Sequence, residues 1–129
     1  MSRIVDGLHG TRILVVEDHD DTREIVRLVL EELGATVTAV ESAEHAIDEI
    51  AHAFPDLVIT DITLKRGPND GRWLLTRVRA TAGGSKIPIV ALTGLREREA
   101  EMRAAGFDDV WIKPVEDLGA LVATLLRRR

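Results

Sequence analysis

The chain has no cysteine and no tyrosine, and only two tryptophans and two phenylalanines in 129 residues. Without cysteine there is neither a disulfide framework nor a thiolate metal site, and a reducing cytoplasm suits such a chain. Aromatic residues at 3% leave too few rings for a base-stacking platform. Positive charge is not in excess either. Seventeen Lys and Arg against 22 Asp and Glu leave a formal net charge of −5, whereas nucleic-acid footprints are basic. Direct contact with nucleic acid is therefore not expected. No apolar run approaches the roughly 18 residues that a membrane span needs. Met1-Ser2-Arg3-Ile4-Val5-Asp6 lacks the apolar stretch of a signal peptide. The length is that of one ordinary domain.

Short apolar runs are abundant. Leu57-Val58-Ile59-Thr60 leads straight into Asp61. A continuous run of this kind reads as a strand buried on both faces, as in a parallel sheet. Four others match it: Ile13–Val16, Thr36–Val40, Ile87–Leu92 and Asp109–Ile112. Helical periodicity fills the gaps. Ile25, Leu28, Val29 and Leu33 recur at helical spacing after Asp21 and Glu24, which have the spacing of a capping box, and Gly34 closes that segment. Ser42 reads as the next N-cap, ahead of Ala43, Ala46, Ile47, Ile50 and Ala51, with Pro55 ending the helix. Leu74, Leu75 and Val78 mark a third helix after a polar loop, Lys65–Gly71. A charged helix spans roughly 96–105 and stops at Gly106. Leu118, Leu121, Val122 and Leu125 mark the last helix.

The pattern is (βα)5, an α/β doubly wound fold with helices on both faces of a five-stranded parallel sheet. Residues 1–11 read as a loose lead-in, 12–127 as the domain, and 128–129 as a tail.

In an open parallel sheet, ligands bind at the carboxyl ends of the strands. Glu17 and Asp18 stand there after the first strand, Asp61 ends the third, Thr93 the fourth, and Lys113 follows the fifth. Clustered carboxylates repel and raise one another's pKa. A divalent cation relieves this, and all-oxygen ligands suit Mg²⁺. A dication, a hydroxyl and a lysine around one carboxylate are equipment for phosphoryl transfer, which asks for positioning and charge neutralisation. Asp61 is the nucleophile in that reading.

Ile13–Asp18, Asp61, Ala91-Leu92-Thr93-Gly94, Ala105–Asp109 and Lys113-Pro114, in this order, resemble the response-regulator receiver domain of two-component signalling. The resemblance covers residues 11–127. It implies the flavodoxin-like strand order 2-1-3-4-5, with Asp61 as phospho-acceptor and Thr93 and Lys113 as the phosphate-binding pair. It also implies Mg²⁺ held by Asp18, by Glu17 through water, and by the Thr63 backbone carbonyl, and a cis peptide at Lys113-Pro114. The implied donor is a phosphohistidine on a histidine kinase or phosphotransfer protein. The implied protein is cytoplasmic, a monomer or weak homodimer, and no enzyme beyond its own phosphorylation and slow dephosphorylation.

The chain departs from the family pattern in its acid pair, Glu17-Asp18 where two aspartates are usual, in the loop after Asp61 and at Val110. Leu64-Lys65 replaces an apolar residue and a proline, and the loop to Gly71 is longer than common members have. Val110 occupies a position often held by Tyr or Phe, while strand alternation puts Trp111 on the opposite face, so the usual aromatic switch is not expected. Leu95 cannot orient a water by hydrogen bonding, which predicts slow to moderate loss of the phosphoryl group. These departures leave a phosphorylation-independent interaction module as the alternative. A haloacid-dehalogenase-type hydrolase would need a second acid where Thr63 stands.

Overall fold

Residues 7–115 and 117–127 are described by a computed structural model. The apolar runs form five parallel strands: β1 (Arg12–Val16), β2 (Thr36–Val40), β3 (Leu57–Asp61), β4 (Ile89–Thr93) and β5 (Asp109–Ile112). Their order is β2-β1-β3-β4-β5, as anticipated. The helices are α1 (Asp20–Glu32), α2 (Ala43–His52), α3 (Gly71–Ala80), α4 (Glu99–Ala105) and α5 (Leu118–Arg127), with 3₁₀ turns at Gly84–Lys86 and Arg96–Arg98. No helix among the described residues is long and apolar enough to cross a membrane.

Alternation along each strand splits the core in two. Leu14, Val16, Val58, Ala91 and Val110 pack under α2, α3 and α4, meeting Ala46, Ile50, Leu74, Val78 and Met102. Ile13, Val15, Ile59, Leu92 and Trp111 pack on the other side against Leu30 of α1 and Leu118, Val122 and Leu125 of α5. Val110 and Trp111 thus lie on opposite faces, as alternation predicts. Leu57, Val58 and Ile59 of β3 are fully buried, and each such side chain contributes about 1.5–3 kcal/mol. This central strand therefore holds Asp61 on a rigid base.

Several local expectations need correction. The N-cap of α1 is His19, whose Nδ1 accepts from the Thr22 N–H at 3.3 Å. The Asp21/Glu24 box does not form, because the helix begins earlier and Glu24 pairs with Arg27. Leu30 is the buried residue of α1, whereas Ile25, Leu28 and Val29 are 61%, 51% and 41% exposed. Ala51 and Leu121 also face outward. Residues 7–11 are not loose. Leu8 is buried and its N–H donates to the Leu33 carbonyl at 2.8 Å, so a turn that includes exposed His9 docks on the end of α1. The rest of the lead-in, 1–6, and the tail, 128–129, lie outside the described residues. Ser42 caps α2 as expected, accepting from the His45 N–H at 3.0 Å.

Candidate functional site

The site lies where the strand order reverses, at the carboxyl ends of β1 and β3. The register sets it. Asp61 pairs with Leu92 and Thr93 with Ile112, so the last residues of β3, β4 and β5 finish close together. The Lys113 N–H donates to the Thr93 carbonyl at 2.8 Å, and the Lys113-Pro114 peptide is cis. From there Lys113 Nζ reaches back to the acids, at 2.9 Å from Asp61 Oδ2 and 3.0 Å from Glu17 Oε1. Glu17 is only 1% exposed. Its other oxygen accepts from the His19 N–H at 3.1 Å. Asp18 Oδ2 accepts from the Lys65 N–H at 2.7 Å. Gly71 presses on the backbone behind the acceptor, where a Cβ would lie 2.4 Å from the Asp61 carbonyl oxygen.

Glu17, Asp18 and Asp61 can each offer one oxygen, all within 4.8 Å of one another. One lysine serves two of them. Burial first, then the neighbouring Glu17 carboxylate, lifts Asp61 to about 6 from its ordinary 3.8, against the pull of Lys113. Burial alone would lower Lys113, but its bonds to Asp61 and Glu17 outweigh this and hold it above its usual value. The charge set is therefore short of cation. Three carboxylates with hard oxygen donors, facing an open cleft that Thr63, Thr22 and His19 also line, fit Mg²⁺.

The structure brings together Glu17, Asp18, Asp61 and Lys113, and sets exposed Thr63 on the rim. Thr93 is close along the sheet, but its hydroxyl is buried and accepts from the Leu95 N–H at 3.0 Å instead of meeting the acids. Sequence reasoning missed His19 as the cap of α1, the Lys65 N–H on Asp18, and the close approach of Gly71. The Asp70-Gly71 pair was the available signal for the last. Asp70 caps α3, accepting from the Trp73 N–H at 3.0 Å.

A family model described as the response regulator receiver domain matches residues 13–125. The chain belongs to the response regulator receiver domain family. An uncharacterized protein of Leptolyngbya boryana is 38% identical over 109 residues, covering 82% of this chain and 81% of that one. The phosphate regulon transcriptional regulatory protein PhoB of Klebsiella pneumoniae is 34% identical over 91% of this chain. The receiver chain spans about half of PhoB's length, 52%. The receiver domain of a sensor histidine kinase from Pseudomonas aeruginosa, a structure with magnesium coordinated in its active-site cleft, superposes with a TM-score of 0.79 at 29% identity, covering 92% of this chain and 96% of that one. The receiver fold and the acidic cluster expected of it are thus both present here.

Proposed function

We propose that this receiver accepts a phosphoryl group from a phosphohistidine of a histidine kinase or phosphotransfer protein onto Asp61. The observation that carries the reading is the sharing of Lys113 between Asp61 and Glu17, beside a third acid. In the transfer, an oxygen of the ionised Asp61 carboxylate attacks phosphorus, a P–O bond forms, and the P–N bond to the donor imidazole breaks. The imidazole leaves and takes up a proton from solvent. Lys113 neutralises one phosphoryl oxygen, and the Thr93 hydroxyl, on turning from the Leu95 N–H, offers a donor to another. Mg²⁺, when held by Asp18, Asp61 and the Thr63 carbonyl, with Glu17 acting through water, supplies the remaining charge neutralisation. Both Glu17 oxygens are already engaged by Lys113 and the His19 N–H, which supports an indirect role.

Donor docking is supported beside the cleft. Ile25 and Val29 of α1, with Pro114, line an apolar groove of about 530 Å³. Thr22 and Lys113 line both this groove and the acidic cleft. Apolar Leu95 and small Gly94 follow Thr93 and offer no side-chain group to orient an attacking water, which supports a slow to moderate loss of the group. Intact mass measurement after incubation with acetyl phosphate and Mg²⁺ tests the proposal. A gain of one phosphoryl group is expected, lost in Asp61→Asn and without Mg²⁺. No gain in the parent chain would leave a phosphorylation-independent binding module as the reading.

A further inference from the structure

Residues 63–70 form a strap from β3 to α3, and its fastenings leave one cation over. Leu64 is buried in the core under α2 and α3. Arg66 pairs with Asp20 at 3.0 Å, and Asp20 also takes Arg23 at 2.8 Å. Asn69 Nδ2 donates to Glu44 Oε2. Lys65 sits between these anchors. Its N–H meets Asp18 Oδ2 at 2.7 Å, which holds its main chain at the mouth of the acidic cleft. The residue is exposed, and its ammonium has no hydrogen bond or ion pair among the described residues. Lys65 lines the same cleft as Asp18, Asp61 and Lys113.

Phosphorylation changes the charge that this cleft has to balance. Asp61 loses its own negative charge to the new bond, while the phosphoryl group brings roughly two. Glu17 and Asp18 remain. Lys113 is already divided between two acids, at 2.9 and 3.0 Å. Even with a dication in place, about one negative charge is then unmatched. Lys113 enters the cleft from the end of β5, and Lys65 enters it from the loop after β3. We infer that Lys65 is a second phosphate-binding lysine: its ammonium, on a flexible four-carbon stem, closes over the cleft onto a phosphoryl oxygen that Lys113 leaves unpaired. The inference rests on the phosphoryl-acceptor reading above. The proline usual at this position has no charge to offer. The contact is therefore an addition to the shared machinery, and it speeds uptake without being required for it.

Initial rates of phosphoryl uptake from acetyl phosphate in saturating Mg²⁺, read as intact mass, test it. In that reaction an Asp61 oxygen attacks phosphorus, and acetate leaves with the electrons of the broken P–O bond. Lys65→Met keeps the stem and the main-chain N–H and loses only the charge. It is expected to slow uptake about two- to fivefold at low salt. The deficit is expected to close near roughly 1 M salt, where screening acts within about 3 Å. Lys65→Arg is expected to stay within about twofold of the parent. Lys86→Met, which removes an exposed lysine from the turn before β4 at the other end of the sheet, is expected to leave the rate unchanged. Calorimetric titration with Mg²⁺ gives a second readout. An ammonium repels a dication, so Lys65→Met is expected to bind Mg²⁺ at least as tightly as the parent. A strap that was merely distorted would lose both uptake and Mg²⁺ affinity. A Lys65→Met chain as fast as the parent at low salt overturns the inference. So does a deficit that persists at high salt, that comes with weaker Mg²⁺ binding, or that Lys65→Arg or Lys86→Met shares. A parent chain that takes up no phosphoryl group overturns the acceptor reading itself, and that failure shows before any variant is compared.

Discussion

The two ends of the sheet treat charge in opposite ways. At the amino ends, Arg79 of α3 donates to the carbonyls of Gly84 and Ile87 at 3.2 and 2.7 Å and pairs with Asp108 at 2.8 Å. The same Asp108 oxygen accepts from the Ile89 N–H at 2.7 Å, and Asp56 accepts from the Arg12 N–H at 2.8 Å. Donors and acceptors there are matched within the chain, and strand starts are tied to helix ends. At the carboxyl ends, Glu17, Asp18 and Asp61 gather around a single lysine. The first arrangement secures the fold. The second leaves carboxylates in excess of the cation that serves them, an imbalance that a dication or a proton on Asp61 would relieve.

The contrast breaks most visibly if the lysine is removed. Lys113→Met leaves Glu17 and Asp61 together in a half-closed site, and about 3 kcal/mol of stability is expected to go at pH 7 in chelator. Urea denaturation reads it, and saturating Mg²⁺ should recover part of the loss. An unchanged midpoint would mean that the acids do not depend on Lys113.

Asp61→Asn pushes the other way. Burial beside Glu17 raises Asp61 to about 6 from 3.8, so ionisation is disfavoured in the folded state. That penalty is absent below the unfolded value and grows as pH rises through about 6. Without metal, the variant should be more stable than the parent by about 2 kcal/mol at pH 7, with the gap closing near pH 4. Paired denaturation curves across this range measure the gap, and one that stayed constant with pH would contradict the shift.

At the opposite end, Arg79→Ala should remove about 1.5 kcal/mol, by the same amount with and without Mg²⁺, and leave phosphoryl uptake intact. A metal-dependent loss there would show that the two ends are not independent.

The five strand runs, the acids at their ends and the lysine after β5 were legible in order, because strand burial and strand-end position follow from local patterns. Helix faces were less so. Ile25, Leu28 and Val29 have helical spacing, yet the core of that face takes Leu30, with Val26 and Leu33 packed beside it. Apolar period does not say which side a helix turns to the sheet when a groove beside the cleft leaves apolar residues open. The cap at His19 was not legible, because a histidine that caps a helix through Nδ1 carries none of the usual capping residue signals. The Leu64-Lys65 departure and the long loop were visible as oddities, but not what they do.

By itself, the sequence determined a five-stranded doubly wound domain with acids and a lysine at the strand ends, since alternation, periodicity and turn residues act over a few neighbours. Tertiary structure alone decided that one lysine bridges Glu17 and Asp61, that Thr93 turns to Leu95, and that the strap reaches Asp18 and Glu44. The last two contacts join residues 47 and 25 positions apart. Distances of that kind are set by how layers pack, and no local preference encodes them.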